Sequence, residues 1–410
     1  MAPVIGADSL PDPAAASGAE TPSERHPLID DRLTEVFAQL SRDPDFDAEE
    51  LQAFDAADHL IVRTAATAAP DLIAVPGKTV VIGDRHGALA LGLATLGATA
   101  IRTHQDPLLG ERALAQNADR LGFSDRYLAH ELNAELLSGA RLVLLQLPRG
   151  LDALDEIATA IARWADPDVR VFAGGRVKHM TRTMNDVLAR SFVDVSAGLG
   201  WRKSRVLTAS SPRSVAATDS GEISPRWGDD AALDFRLAAF GATFGGPVLD
   251  HGSRLLIDTL MTAPPVATQI VDLGCGNGVL AVTAARTFPT ARVIATDQST
   301  AAVAATRATA EAAGVADRID VQRADALEAV PDAWADLILL NPPFHTGATV
   351  HAGVGQRLIR ACRRALAPGG ELRLVFNSHL PYRSMIEREI GPVQQLARTA
   401  TFTVLAARRR

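Results

Sequence analysis

Four residues, Asn341-Pro342-Pro343-Phe344, have the types and spacing to do chemistry at one point of the chain. They follow a short aliphatic run, Leu337-Ile338-Leu339-Leu340, entered from Asp336. An apolar run of this length reads as a buried parallel strand. Two prolines, with fixed φ and no N–H, stop that strand and hold its loop in one shape. Such a loop presents the Asn341 side-chain oxygen, the Pro342 carbonyl and the Phe344 ring together at a strand's C-terminal edge. Two acceptors beside an aromatic platform suit a flat ring carrying an exocyclic NH2. An ordinary proline turn would use the same residues, so the stretch needs other residues to mark it as a site.

Those residues lie upstream. Val271-Asp272-Leu273-Gly274-Cys275-Gly276-Asn277-Gly278 reads as a strand that turns through a glycine-rich loop into a helix. Glycines let the backbone take positive φ and approach a ligand, and a helix N-terminus favours a negative group. Dinucleotide binders and class I S-adenosylmethionine (AdoMet) methyltransferases share such loops. Asp272, just ahead of the glycines with Leu273 between, is less typical of dinucleotide loops. Asp297, followed by Gln298, ends the next strand 25 residues on and is placed to accept from ribose hydroxyls. Asp325, followed by Ala326, comes after a third strand and is placed for an adenine amine. Each acid alone could be a strand-end turn residue. All three in register, with Asn-Pro-Pro-Phe after the fourth strand, point to an AdoMet site.

The elements that must position these groups form an α/β pattern. In the first half, strands are expected over 79–83, 98–102, 141–147 and 169–173, with helices over 88–96, 111–122 and 180–191. In the second, strands are expected over 269–273, 292–296, 319–322, 337–340, 371–376 and 399–407, and helices over 253–261, 279–287 and 300–313. Strands alternating with helices of this length indicate parallel sheets. The polar stretch 209–230 is the expected linker. Residues 1–25, without periodicity, are expected to be disordered. The domains are then 26–208 and 231–410.

The two halves repeat one another. Gly83-Asp84-Arg85-His86-Gly87 matches Gly274-Cys275-Gly276-Asn277-Gly278, Thr103-His104-Gln105 matches Thr296-Asp297-Gln298, and Gln146-Leu147-Pro148-Arg149 matches Asn341-Pro342-Pro343-Phe344. The first copy has Arg85 at the middle glycine position and His104 in place of the ribose acid, so AdoMet binding is not expected there.

The second half, from 249 to 407, resembles the class I methyltransferases that act on exocyclic amines, whose signature is Asn or Asp, Pro, Pro, then an aromatic. His345, Gly347, the Gly252-Ser253-Arg254-Leu255-Leu256 segment, the tail Asn377-Ser378-His379-Leu380-Pro381-Tyr382 and the degenerate first copy narrow the likeness. Together they are similar to bacterial ribosomal RNA guanine-N2 methyltransferases. Gly175-Arg176-Val177-Lys178-His179-Met180-Thr181 is similar to the large-subunit branch. The resemblance implies two tandem class I methyltransferase (Rossmann-like) domains, the N-terminal one degenerate. It implies AdoMet as cofactor, with Asn341, Pro342 and Phe344 catalytic and with Asp272, Gly274, Gly276, Gly278, Asp297, Gln298, Asp325 and Ala326 holding the cofactor. The substrate would be ribosomal RNA or a ribosomal subunit. His345 reads as a local hydrogen-bonding residue rather than a base, and Cys275 as a small loop residue. His351 and Asn377 could line the pocket.

Composition sets the remaining bounds. At 410 residues two domains are expected, and the two cysteines imply no disulfide framework. The net charge of -7 excludes a uniformly basic coat, though not a local basic face. From 170 to 205, six Arg and two Lys stand against Asp186 and Asp194. Arg176, Lys178, His179, Arg182 and Lys203 are the expected RNA contacts there, through phosphates. A solvated helix face in an arginine-biased chain is the plainer reading of that excess. With no membrane-length apolar run, the chain is expected to be a cytoplasmic monomer without a metal. A protein glutamine or DNA adenine amine methyltransferase shares the loop logic, and a non-catalytic RNA-binding assembly factor would lack AdoMet binding.

Overall fold

The computed structural model describes residues 27–45, 51–214, 222–342 and 350–410. The tail expected over 1–25 lies outside them. The first half opens with α1 (Pro27–Phe37), α2 (Ala56–Ala68) and α3 (Pro70–Ile73). It then alternates through β1 (Thr79–Ile82), α4 (Ala88–Thr95), β2 (Ile101–His104), α5 (Leu108–Leu121), β3 (Tyr127–Ala129), α6 (Ala134–Leu137) and β4 (Leu142–Gln146). It closes with α7 (Leu151–Trp164), β5 (Arg170–Arg176), α8 (Arg182–Ser191), β6 (Phe192–Ala197) and β7 (Ser204–Pro212). A two-stranded ribbon, β8 (Arg226–Gly228) and β9 (Leu237–Ala239), precedes the second half. That half runs α9 (His251–Thr262), β10 (Gln269–Leu273), α10 (Val279–Thr287), β11 (Arg292–Asp297), α11 (Thr300–Ala312), β12 (Ile319–Arg323) and β13 (Ala335–Leu340). It ends with α12 (Val350–Ala365), β14 (Leu366–Asn377), α13 (Tyr382–Glu389), β15 (Val393–Arg398) and β16 (Phe402–Arg408).

The two seven-stranded sheets share one topology, β3-β2-β1-β4-β5-β7-β6 and β12-β11-β10-β13-β14-β16-β15. In each, five strands run parallel and the sixth is antiparallel to both its neighbours. Central strands read as unbroken apolar runs because both faces are covered. In β13, Leu337 and Leu339 enter the core on one face, Ile338 and Leu340 that on the other. In β1, Val81 likewise packs opposite to Val80 and Ile82. Strand order reverses between β10 and β13, and ligands of open α/β sheets sit beyond the strand ends at such a switch point. The glycine loop and Asn341 follow these two strands.

Local expectations differ from the structure at the edges. Residues 209–212, expected in the linker, belong to β7, where Ser210 pairs with Arg170 of β5. Serine and proline composition does not reveal an antiparallel partner 40 residues upstream. Residues 226–228, also expected in the linker, form β8. β15 was not expected, and the strand expected over 399–407 is β16, which begins at Phe402 because residues 399–401 form a turn. There Thr399 Oγ1 accepts from the Phe402 N–H at 2.9 Å, folding β16 back on β15.

Candidate active site

β10 delivers the glycine loop. Gly274, Gly276 and Gly278 have φ of +79°, +54° and +81°, values that side chains disfavour. A Cβ at Gly274 or Gly276 would meet nothing within 4 Å, so both leave room for a ligand. At Gly278 it would come within 2.9 Å of the Thr306 backbone, so that glycine serves packing of α10 on α11.

Asp272 and Gly278, expected at the cofactor, do not line the cavity. Asp272 is fully buried, and its Oδ2 accepts from the Ala281 N–H at 2.8 Å, bracing the start of α10. Burial raises its pKa to about 7, against that hydrogen bond and with help from the Asp297 charge. The folded chain therefore holds this proton more tightly than the unfolded one. The resulting stability is fully present below about 3.8 and lost as pH rises through about 7. Asp272→Asn, which cannot ionise, is expected to flatten the fall of Tm across that window. An unchanged slope in pH-dependent melting would contradict the buried acid.

One cavity of about 220 Å³ brings Gly274, Gly276, Asp297, Gln298, Asp325 and Ala326 together with Asn341 and Pro342. Asp297 Oδ2 accepts from the Gly276 N–H at 3.1 Å and Oδ1 from the Ser299 N–H at 3.0 Å. The carboxylate thus ties the end of β11 to the glycine loop. Burial raises its pKa, opposed by those two hydrogen bonds. Asp325 is held by Arg357 in a bidentate pair at 2.5 and 2.9 Å. Each of its oxygens keeps a further lone pair for a donor. The Cys275 thiol is buried, which pushes its pKa up and leaves it unreactive.

Asn341 stands just beyond β13. Its Nδ2 donates to Asp250 Oδ1 at 3.1 Å and to Ser253 Oγ at 3.0 Å. Asp250 also accepts from the Gly252 and Ser253 N–H groups at 2.9 and 3.0 Å, capping α9. Asp250 Oδ1 acts as an acceptor to these two N–H groups, so it fixes which way the Asn341 amide faces. Both N–H groups of that amide are committed, and Oδ1 remains as the acceptor. Gly252 permits this approach, since a Cβ there would lie 3.2 Å from Asn341 Oδ1. Sequence reasoning missed Asp250, although an Asp three residues before Ser253 is a helix N-cap signal. Phe344 and His345 lie outside the described residues, as does the side chain of His351. Asn377 ends β14 and does not line the cavity.

The first half keeps the backbone of this site and changes its chemistry. Gly83, Arg85 and Gly87 all have positive φ, so an arginine adopts the glycine conformation. The buried Asp84 accepts from the Leu89 and Ala90 N–H groups at 2.6 and 2.8 Å, the service that Asp272 performs in the second half. His104, in the ribose position, is turned to the His130 carbonyl at 3.0 Å. Gln146, in the position of Asn341, donates to Asp58 at 2.9 Å. Around this loop lies a cleft of about 440 Å³ whose lining includes Arg85, Arg149, Arg176, Lys178 and His179. Three expected RNA contacts thus converge, joined by Arg85 and Arg149, which sequence reasoning did not select. Arg182 and Lys203 are exposed outside the cleft. Among the described residues no cluster could hold a metal, and no helix is long and apolar enough to cross a membrane.

Tandem sheets of one topology, with a glycine loop and a strand-end acid in the second, define a Rossmann-like methyltransferase with a duplicated domain. The family model described as methyltransferase small domain matches residues 234–406, and that of the RLMG N-terminal domain matches 31–213. A Thermus thermophilus 16S rRNA N2 methyltransferase, solved with AdoMet and guanosine, shares the fold at TM-score 0.66 and 21% identity, over 83% of this chain and 91% of that one. Ribosomal RNA large subunit methyltransferase G of Pseudomonas syringae pv. syringae is 34% identical over 92% of this chain and 99% of its own length. The enzyme of that name from Shewanella amazonensis is 29% identical over 90% and 95%. The chain belongs to the ribosomal RNA large subunit methyltransferase G family.

Proposed function

We propose that the second half transfers a methyl group from AdoMet to the exocyclic N2 amine of a guanosine in large-subunit ribosomal RNA. The observation that carries this reading is Asn341, with both N–H groups held by Asp250 and Ser253, on the wall of the cavity that contains Asp297. The room over Gly274 and Gly276 and the acceptors Asp297 and Asp325 fit AdoMet. Bound there, AdoMet supplies an electrophilic methyl group.

A guanine amine is a poor nucleophile because its lone pair is delocalised into the ring. Asn341 Oδ1 and the Pro342 carbonyl accept its two hydrogens, which favours a pyramidal nitrogen and aims the lone pair. Orientation then supplies much of the rate. No strong base is required before attack, since the amine becomes acidic once methylated. The base must come from an unpaired loop or leave its helix, and Phe344 is assigned to stack on it. Such stacking is worth roughly 1–3 kcal/mol.

The cleft of the first half takes RNA phosphates. Charge reversal at Arg149, Arg176 and Lys178 is expected to weaken RNA binding at least about tenfold at low salt. The slope of log affinity against log salt should fall by roughly one for each phosphate that is no longer neutralised. Unchanged affinity and slope in filter binding would remove the cleft from the account. The function itself is tested by offering labelled AdoMet with naked large-subunit RNA, assembled subunits or a protein substrate. Label is expected in RNA, and label only in protein would contradict the proposal.

A further inference from the structure

The two copies meet through the same loop of the repeat, that after β2 and that after β11. The Leu108 N–H donates to the Gln298 carbonyl at 2.9 Å, and the Thr300 N–H to the Asp106 carbonyl at 3.1 Å. This antiparallel contact places a first-half carboxylate at the start of a second-half helix. Asp106 Oδ1 accepts from Ser299 Oγ at 2.8 Å, from the Ala301 N–H at 2.9 Å and from Thr300 Oγ1 at 3.2 Å. It therefore caps α11 from the other domain, where the helix dipole favours negative charge. Ser299 is gripped from both sides, its hydroxyl by Asp106 and its N–H by Asp297 at 3.0 Å.

Two further ties reach the same cavity. Arg323, at the end of β12, donates to the carbonyls of Gln105, Asp106 and Gln298 at 3.1, 3.2 and 3.3 Å and pairs with Glu111 at 2.8 Å. Arg112 of α5 holds Glu328 at 2.6 and 2.9 Å, and Glu328 Oε1 accepts from the Asp325 N–H at 2.9 Å. The two loops that carry Asp297 and Asp325 are thus anchored on the degenerate half.

We propose that the degenerate half is a positioning element for the cofactor loops, acting through Asp106 on Asp297-Gln298 and through Arg112 and Glu328 on Asp325. None of these three residues touches a reacting atom. Their effect is to hold the acceptors in place before the cofactor arrives, which reduces the ordering that binding must impose. This rests on the AdoMet site proposed above.

The test measures AdoMet binding to the full chain by calorimetry, without RNA. Asp106→Ala is expected to weaken AdoMet roughly five- to tenfold, the scale of one missing cap. RNA affinity should stay unchanged. Asp106→Asn retains an oxygen for the Ala301 N–H and is expected to stay within about twofold of wild type. Arg112→Glu, at an exposed pair of a kind that contributes little to folding, is expected to weaken AdoMet about threefold. It keeps the test usable should Asp106→Ala not fold. Wild-type AdoMet affinity in a folded Asp106→Ala protein would overturn the inference. So would equal losses of AdoMet and RNA affinity with a lowered Tm, the signature of a purely structural contact. Unchanged AdoMet affinity in Arg112→Glu would overturn the second tie. Failure of the wild-type protein to bind AdoMet would instead defeat the proposed function.

Discussion

Asn341→Ala is expected to lower kcat by at least about a hundredfold, with AdoMet affinity within a few-fold of wild type. The loss compares with removal of one pre-oriented polar group from a transition-state site, about 10²–10³ in rate. The prediction is specific because the Asn341 side chain is held by Asp250 and Ser253, whereas Asp297 is held by the Gly276 and Ser299 N–H groups. Truncation therefore removes the amine acceptor and leaves the Asp297–Gly276 link intact. Single-turnover transfer alongside calorimetry separates the two effects. Turnover at the wild-type rate would remove Asn341 from the chemistry.

Asp297→Ala is expected to do the reverse. Its carboxylate is assigned to the ribose hydroxyls while it holds the Gly276 and Ser299 N–H groups. The substitution costs two acceptor roles and loosens the glycine loop. Each hydrogen bond to a charged group is worth about 1.5–3 kcal/mol, so affinity for AdoMet should drop roughly tenfold to a hundredfold or more. At saturating AdoMet, kcat should fall much less. Unchanged affinity by calorimetry would refute the role.

Much of the second half was readable because local and global signals agree there. Residues 269–273 and 279–287 form a strand and a helix with the expected bounds, since a buried parallel strand and the helix behind a glycine loop have strong patterns. The α/β repeat was readable for the same reason. The antiparallel edge was not, because β15 and the end of β7 are marked by pairing rather than by hydrophobicity.

At the site, residue types indicated which groups cluster, but not which atoms face the cavity. Asp272 precedes the glycines and still points away, since alternate residues of β10 face opposite sides and its carboxylate is drawn to the start of α10. Asp250 could not be linked to Asn341, 91 residues away, without the fold. Arg85 and Arg149 read as damaged motif positions in the sequence. Their place in the basic cleft emerges only when the loops of the first half are brought together.

The most direct test is the identity of the methylated nucleoside. Large-subunit ribosomal RNA lacking the modification, incubated with the protein and AdoMet, is digested to nucleosides and resolved by mass spectrometry. The account predicts N2-methylguanosine, absent from the Asn341→Ala reaction. A methylated adenosine, or a guanosine methylated on a ring nitrogen, would contradict it.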